Sequence, residues 1–209
     1  HDWSGFISMQ PDEIDKERGV IREEWRTRAN ADRRIWSKSL PILFRNSQYA
    51  KRDVIGDTAV INNFKPETLH NFYEKWYRPD LQALVIVGDV NVNMVEKELK
   101  ELFVDIPKRE NPTPRPIYQL ENNDDPIVAI ITDSEARNSR VDVNYRHNPM
   151  SDRAKASMPG YVAIITNNLI CGMLGQRLQE IAQKADAPFL AAYADYGELV
   201  RSKDVFEMM

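Results

Sequence analysis

The first apolar pattern along the chain is helical and extends from Pro11 to about Phe44. Pro11 opens a first turn that is rich in carboxylates, which is typical of a helix start. Pro41 cannot donate a backbone hydrogen bond, so it predicts a kink there or the end of one helix near Leu40. The mostly polar residues 45–65 that follow predict turns.

The next part of the pattern changes from helix to strand and back to helix. Residues 66–77 and 92–103 have helical patterns, whereas residues 81–87 contain the continuous apolar run Ala83-Leu84-Val85-Ile86-Val87. A run of this kind is typical of a central strand that is buried on both faces. We therefore predict a buried strand between two helices, with its exit at Gly88-Asp89.

A proline-rich stretch, residues 106–126, separates these elements from the rest of the chain. Its prolines are Pro107, Pro112, Pro114, Pro116 and Pro126. Few periodic apolar residues accompany them, so we expect an extended connector. Beyond it, the pattern predicts strands at 127–132 and 140–146, a helix at about 154–183 that Gly172 and Gly175 could interrupt, and a strand at about 189–196. This irregular mixture of helices and strands predicts an α+β fold.

The composition gives no reason to expect nucleic acid or an anionic membrane surface as a partner. Charged residues make up 29% of the 209 residues, and the formal net charge is −4. Cys171 is the single cysteine, which excludes an internal disulfide and a cysteine-based metal cluster. No apolar run is long enough to predict a membrane span, so we expect a soluble protein, with the bacterial periplasm and the cytoplasm both open as its compartment.

The candidate chemistry lies in the first predicted helix, at Glu17 and Glu24. At about 100° per residue these two carboxylates differ by only about 20°, and Glu23 points to the opposite side. Both fall inside the apolar arc of the helix, which consists of Ile14, Val20, Ile21 and Trp25. Burying an ionised carboxylate costs several kcal/mol unless a cation compensates it. That cation is either Arg28, in an i,i+4 ion pair with Glu24, or a metal ion, and spacing alone favours the ion pair.

The segment Glu17-Arg18-x-Val20-Ile21-x-x-Glu24 resembles the distal glutamate motif of the M16 family of inverted zincins, which includes pitrilysin, insulinase and the mitochondrial processing peptidase. In that family two histidines of a His-x-x-Glu-His motif and a glutamate from a later helix bind zinc. The resemblance implies that Glu24 is the third zinc ligand. Glu17 matches the upstream glutamate of the motif. Because it lies two turns away, about 10 Å along the axis, we expect it to orient a ligand histidine.

Three further stretches extend the same resemblance over nearly the whole chain. They are Tyr49–Gly56, Phe72–Val90 and Gly172–Glu180. The family fold implied is α+β, with a mixed, largely antiparallel sheet covered by helices. Residues 1–105 would then be the later part of a first, metal-site unit, residues 106–126 a proline-rich connector, and residues 127–209 part of a second unit without metal ligands.

The activity that the resemblance implies is zinc-dependent hydrolysis of peptides or unfolded polypeptides inside an enclosed chamber. Zn²⁺ would polarise the scissile carbonyl and lower the pKa of its bound water toward about 7. The 209 residues contain no His-x-x-Glu-His motif. We therefore expect a segment of a longer protein, hereafter the parent protein, that holds no catalytic residue, is inactive alone and has the remaining domains of the parent as partners.

Two other functions remain open on the sequence. The parent protein could be a non-catalytic, peptidase-like subunit that recruits substrate for an active partner, although the presence of both Glu17 and Glu24 argues against this. Alternatively, the chain could be a protein-interaction module in which Glu24 simply pairs with Arg28.

The remaining reactive side chains are interpreted as structural. We expect His1 to be exposed, His70 to be a partly exposed helix residue and His147 to follow a strand. Cys171 lies on an apolar helix face and is expected to be a packing residue rather than a nucleophile.

Overall fold

The computed structural model describes residues 1–108 and 110–209. The helices in this part of the chain are α1 (Asp2–Gly5), α2 (Pro11–Thr27), α3 (Ala31–Leu43), α4 (Thr58–Asn63), α5 (Pro66–Trp76), α6 (Val92–Leu102), α7 (Asp152–Lys155) and α8 (Met158–Ala182). The strands are β1 (Val143–His147), β2 (Ala194–Val200) and β3 (Lys203–Met208), and short 3₁₀ helices cover Gln48–Lys51 and Pro79–Leu81.

The chain divides into two compact units. One, the α2 unit, consists of His1–Arg28 and Val54–Arg115, and the other, the sheet unit, consists of Ala29–Asp53 and Pro116–Met209. The division into a metal-site unit (1–105), a connector (106–126) and a second unit (127–209) of the parent protein stays a prediction.

The helical stretch that begins at Pro11 is divided near Asn30 rather than near Leu40. The Asn30 side chain accepts a hydrogen bond from the backbone N–H of Arg33 at 2.9 Å, which caps the start of α3. Helix α3 continues through Pro41 to Leu43, so the predicted end near Leu40 is wrong. Pro41 lies in the last turn, where the backbone N–H of Phe44 still reaches the Leu40 carbonyl at 2.9 Å.

Helices α5 and α6 confirm the two helices predicted on either side of the apolar run, but the run itself forms no strand. Val85 and Val87 are 84% and 89% exposed. Among residues 1–108 and 110–209 no strand pairs with this run or with residues 127–132. The two predicted strands are therefore not observed, because extended backbone is stabilised as a strand only by a hydrogen-bonded neighbour.

The sheet unit contains an antiparallel sheet with the strand order β1-β3-β2. In the middle of the sheet, Tyr145 of β1 and Tyr196 of β2 both pair with Phe206 of β3. Strands β1 and β2 overlap the predicted strands at 140–146 and 189–196, whereas β3 was not predicted. Helix α8 runs without interruption through the glycines at 172 and 175. The combination of helices with this sheet confirms the predicted α+β class.

The core of the sheet unit joins α3 to the connector region. Leu40 and Phe44 pack with Leu120, which is 2% exposed. The guanidinium of Arg146 on β1 lies 5.3 Å from the centre of the Phe44 ring and donates to the Leu43 carbonyl at 2.5 Å. These contacts fix the end of α3 against the sheet.

Helix α8 differs from expectation in one respect. By length and composition it could cross a membrane, whereas the sequence analysis found no apolar run that long. The difference arises because α8 contains no charged residue before Arg177, so its mean hydropathy is apolar. Its run of apolar residues is nevertheless broken by the polar Thr166, Asn167 and Asn168. Core helices of globular proteins share this property, so the observation does not distinguish the two environments.

A bidentate ion pair ties α3 to residues beyond the connector within the sheet unit. Arg34 donates to the two carboxylate oxygens of Asp133 at 2.8 and 2.7 Å, and to Glu135 at 2.6 Å. The Asp133 side chain is 7% exposed and also accepts the backbone N–H of Glu135. The Arg34 guanidinium holds the pKa of the Asp133 carboxyl well below its usual range.

We expect Asp133→Asn to lower the thermal unfolding midpoint of the sheet unit at neutral pH. A carboxyl whose folded pKa is depressed contributes stability above its unfolded pKa, near 3.9, and loses it as the pH falls through the folded value. The difference in thermal unfolding midpoint between wild type and variant should therefore be constant from pH 7 to about pH 4. It should become smaller in stronger acid. Glu135→Gln, at a side chain that is 70% exposed, is the control. An equal loss in both variants would contradict the prediction.

Candidate metal-ligand site

Helix α2 carries the candidate ligand Glu24 and the candidate supporting residue Glu17, and it is held in the α2 unit by contact with α4. Ile14 of α2 and Ile61 of α4 are both 8% exposed. Arg18 of α2 reaches the carbonyls at the end of α4. Sequence reasoning quoted Arg18 as part of the motif but gave it no role, because a side chain that bonds to backbone carbonyls leaves no signature in the partner sequence.

Glu24 lies in the last turns of α2 with its side chain 41% exposed. Its Oε1 lies 2.6 Å from Nη2 of Arg28, which is 67% exposed. This is the i,i+4 ion pair that the sequence offered as one way to compensate Glu24. Exposed pairs of this type are worth only about 0.3–0.5 kcal/mol, so Arg28 does not hold the carboxylate firmly.

The helix face that carries Glu17 and Glu24 is open in this structure. Glu17 is exposed. The apolar residues on either side of Glu24 in the predicted arc, Val20 and Trp25, are 57% and 40% exposed, whereas Ile14 of the same arc is buried. The sequence predicts that the whole arc is packed, and the structure buries Ile14 but leaves Val20 and Trp25 exposed. Glu17 and Glu24 are therefore available to groups from elsewhere.

Glu23 is directed away from this face and is engaged by a different partner. One of its oxygens accepts from Nε of Arg26 at 2.9 Å, and its side chain is 65% exposed. The two adjacent glutamates thus differ in exposure and in partner.

The described residues do not form a complete zinc site. In residues 1–108 and 110–209 no three side chains of His, Cys, Asp or Glu come together in an arrangement that could hold a metal. Zinc in proteins takes three or four protein ligands, and a glutamate oxygen is a suitable one. The chemistry of Glu24 therefore fits one ligand of a zinc site, and the rest of the site would have to come from outside this segment.

The histidines lie apart from α2 in sequence, and each has a local partner. His1 is 24% exposed rather than exposed as expected, and its two ring nitrogens lie 2.9 Å from carboxylate oxygens of Asp105 and Asp2. The hydrogen bonds to these carboxylates raise the pKa of His1, and the bond to Asp105 has the larger effect. His70 lies 3.8 Å from Glu74 and is partly exposed as predicted.

His147 and Cys171 also have structural surroundings. His147 is the last residue of β1, and its ring stacks on Tyr196 with the ring centres 5.3 Å apart. Cys171 is 8% exposed, and burial raises the pKa of its thiol. A thiol with a raised pKa is a poor nucleophile, which agrees with a packing role.

Comparison with known proteins places these features in a family. Residues 63–197 match the family described as the Peptidase M16 inactive domain. The probable zinc protease PqqL of Haemophilus influenzae is 35% identical over 128 residues, which is 61% of this chain and 13% of that protein.

Two solved structures share the fold. The periplasmic protease PqqL from Escherichia coli has a TM-score of 0.76 at 23% identity and covers 99% of this chain and 22% of its own. A mutant of the ferredoxin protease FusC in complex with Arabidopsis ferredoxin has a TM-score of 0.72 at 24% identity and covers 98% of this chain and 22% of its own. The chain thus spans between about an eighth and about a fifth of these three proteins. The family match covers well over half of the 209 residues, and the chain therefore belongs to the M16 peptidase family.

Proposed function

We propose that the chain is a segment of a zinc-dependent endopeptidase, to which it contributes Glu24 as one zinc ligand. The observation that carries the proposal is the placement of Glu24, which is half-exposed on an open face of α2 and held only by an exposed arginine. The relative from Haemophilus influenzae is named as a probable zinc protease, which supports zinc in the parent protein.

The chain's own residues would act by binding and orientation. Glu24 would coordinate the metal through a carboxylate oxygen. Its ion pair with Arg28 would then be replaced by the bond to the metal ion. Glu17, two turns earlier on α2, would accept a hydrogen bond from a ligand histidine and fix its ring. A bound zinc ion supplies Lewis-acid polarisation of the scissile carbonyl and a bound water of lowered pKa.

The remaining parts of the site would come from the part of the parent protein that lies upstream of this segment. These include two histidines and a general base of the His-x-x-Glu-His type. We propose protein or peptide segments as the substrate class, enclosed in a chamber during cleavage. The structure of FusC with ferredoxin provides an example of a structurally similar protease with a protein substrate. The periplasmic location of the Escherichia coli protease supports the periplasm as the compartment.

A second candidate is a non-catalytic, peptidase-like subunit or interaction module that recruits substrate for an active partner. The 2.6 Å pair between Glu24 and Arg28 favours it, because in that case Glu24 needs no metal. The two candidates differ in zinc content, and a Glu24→Gln change in the intact parent protein tests them. Unchanged zinc content and peptide hydrolysis in that variant would overturn the assignment of Glu24 as a ligand.

We expect the isolated 209-residue chain to bind zinc weakly and to cleave no peptide. One carboxylate supplies too few ligands to hold Zn²⁺, and the described residues bring together no group of three His, Cys, Asp or Glu side chains that could hold the ion. Isothermal titration with Zn²⁺ and a fluorogenic peptide assay check this, with the intact parent protein as the positive control. Cleavage by the isolated chain that a chelator abolishes would contradict the prediction.

A further inference from the structure

Arg18 connects helix α2 to α4 through several simultaneous contacts. The side chain of Arg18 is only 13% exposed. Its Nη1 donates to the carbonyl of Ile61 at 2.5 Å, and its Nη2 donates to the carbonyl of Phe64 at 2.5 Å. Both carbonyls belong to the C-terminal end of α4, where backbone oxygens have no partner within the helix and carry the negative end of the helix dipole.

Two further contacts fix the plane of the Arg18 guanidinium. Its central carbon lies 3.8 Å from the centre of the Phe64 ring, which is a cation–π contact. Its Nε donates to Asp15, one turn earlier on α2, at 2.9 Å. The planar guanidinium contacts two carbonyls, one ring and one carboxylate at the same time, so its orientation is defined. The ammonium group of a lysine could not make this set of contacts.

The acceptor end of this contact is itself well anchored. The Asp57 side chain accepts the backbone N–H groups of Ala59 and Val60 and so caps the start of α4. Gly56 precedes it with φ = 87°, a left-handed conformation that favours glycine. The Ile61 side chain is buried beside Gly56. Arg18 therefore attaches α2 to a helix whose start is stabilised by its own capping residue.

The position of Glu24 depends on this attachment more than on its own side-chain contacts. Glu24 lies six residues after Arg18, about 9 Å further along the helix axis. Its own partner, Arg28, is exposed and holds it weakly. The rotation and axial position of α2, which the Arg18 contacts set, therefore decide where the Glu24 carboxylate lies. Metal–ligand distances are tolerated only within about 0.2 Å.

We propose that Arg18 is a positioning residue for the metal site, which places Glu24 by fixing α2 against the end of α4. The inference rests on the proposed role of Glu24 as a zinc ligand. Arg18 does not touch the metal in this proposal, and it acts through the helix backbone.

The test is a double-mutant cycle in the intact parent protein, with zinc affinity measured by competition with a chelator. Arg18→Gln is expected to weaken zinc binding by roughly 10- to 100-fold, the range for residues that support a metal ligand. In a Glu24→Gln background the same change should have no further effect, because the ligand that Arg18 positions is absent. If Arg18→Gln lowers zinc affinity equally in the wild-type and Glu24→Gln backgrounds, or in neither, the proposal is overturned.

Matched variants separate positioning from general damage. Arg26→Gln removes an arginine from the same helix that pairs with the exposed Glu23, and it should leave zinc affinity unchanged. Ile61→Val trims a buried side chain of α4 but keeps the backbone carbonyl that Arg18 contacts, and it should lower the unfolding midpoint but not the zinc affinity. Arg18→Lys keeps the charge and one hydrogen bond, so it should give a smaller loss that still depends on Glu24 and remains measurable if Arg18→Gln fails to fold.

The outcomes also distinguish this inference from the proposed function. Loss of zinc in Glu24→Gln with unchanged zinc in Arg18→Gln would refute only the positioning role. Unchanged zinc in Glu24→Gln would refute the ligand assignment itself, and the role of Arg18 with it.

Discussion

Glu24→Gln in the intact parent protein is expected to weaken zinc binding by more than about 100-fold and to reduce peptide hydrolysis in parallel. Loss of a residue that only supports a ligand already costs roughly 10- to 100-fold in metal affinity, and loss of the ligand itself should cost more. Glutamine keeps the size and the helix propensity of the side chain but removes its negative charge. Zinc content after dialysis and initial rates on a fluorogenic peptide provide the measurement.

Two neighbouring changes serve as controls for this experiment. Glu23→Gln alters the adjacent carboxylate, which points away from the open face and pairs with Arg26, and it should leave zinc content and activity unchanged. Arg28→Gln removes the ion-pair partner of Glu24 and should change stability by only about 0.3–0.5 kcal/mol, with zinc retained. If Glu24→Gln keeps its zinc and loses stability instead, the ion pair rather than the metal explains the residue.

Leu120→Ala is expected to destabilise the sheet unit by about 2–5 kcal/mol. Leu120 is 2% exposed and lies between Leu40 and Phe44 in the core that joins α3 to the sheet. Its truncation would leave a cavity, since Leu120 is also held by a backbone hydrogen bond to Ser202 and cannot shift to fill the space. Hydrogen exchange of peptides from residues 116–209 in the intact parent protein measures the local opening free energy.

The matched control for that measurement is Leu190→Ala in the same unit. Leu190 is 95% exposed, so the same chemical change should alter the opening free energy by no more than about 0.5 kcal/mol. Similar losses in the two variants would show that Leu120 is not part of the core described above.

Helices were predicted well where their signals are local. Helices α5 and α6 begin and end within one or two residues of the predicted bounds, because their start signals and apolar periods are contained in the helix itself. The division at Asn30 also has a local signal, an Asn cap before the helix, which the prediction of one helical stretch from Pro11 to about Phe44 did not include. A proline in the last turn removes only one hydrogen bond, whereas a capping residue defines where a new helix begins.

Strands were predicted less well because they depend on distant partners. The run at 83–87 has the composition of a buried strand, yet no described strand lies beside it. Strand β3 was missed because it begins with two charged residues, Lys203 and Asp204. Lys203 is nevertheless buried, and its ammonium group donates to the side-chain oxygens of Asn122 and Asn148 at 2.7 and 2.5 Å. Burial of a charge through long-range hydrogen bonds of this kind has no signature in a single strand sequence.

The candidate site shows the same contrast between local and distant information. Helical angles separated Glu24 from Glu23, and the motif singled out Glu24, because both arguments use only residues of α2. The exposure of the helix face and the contacts of Arg18 with the carbonyls of Ile61 and Phe64 depend on residues more than 40 positions away in the sequence. These features required the structure.

The unpaired apolar run in the α2 unit has a consequence for how such a segment behaves when it is produced alone. The run Ala83-Leu84-Val85-Ile86-Val87 is β-prone and uncharged, contains no proline and has its large side chains exposed. A stretch with these properties and free backbone groups is a template for pairing between chains. Self-association through this run would therefore lower the solubility of the segment when it is produced alone.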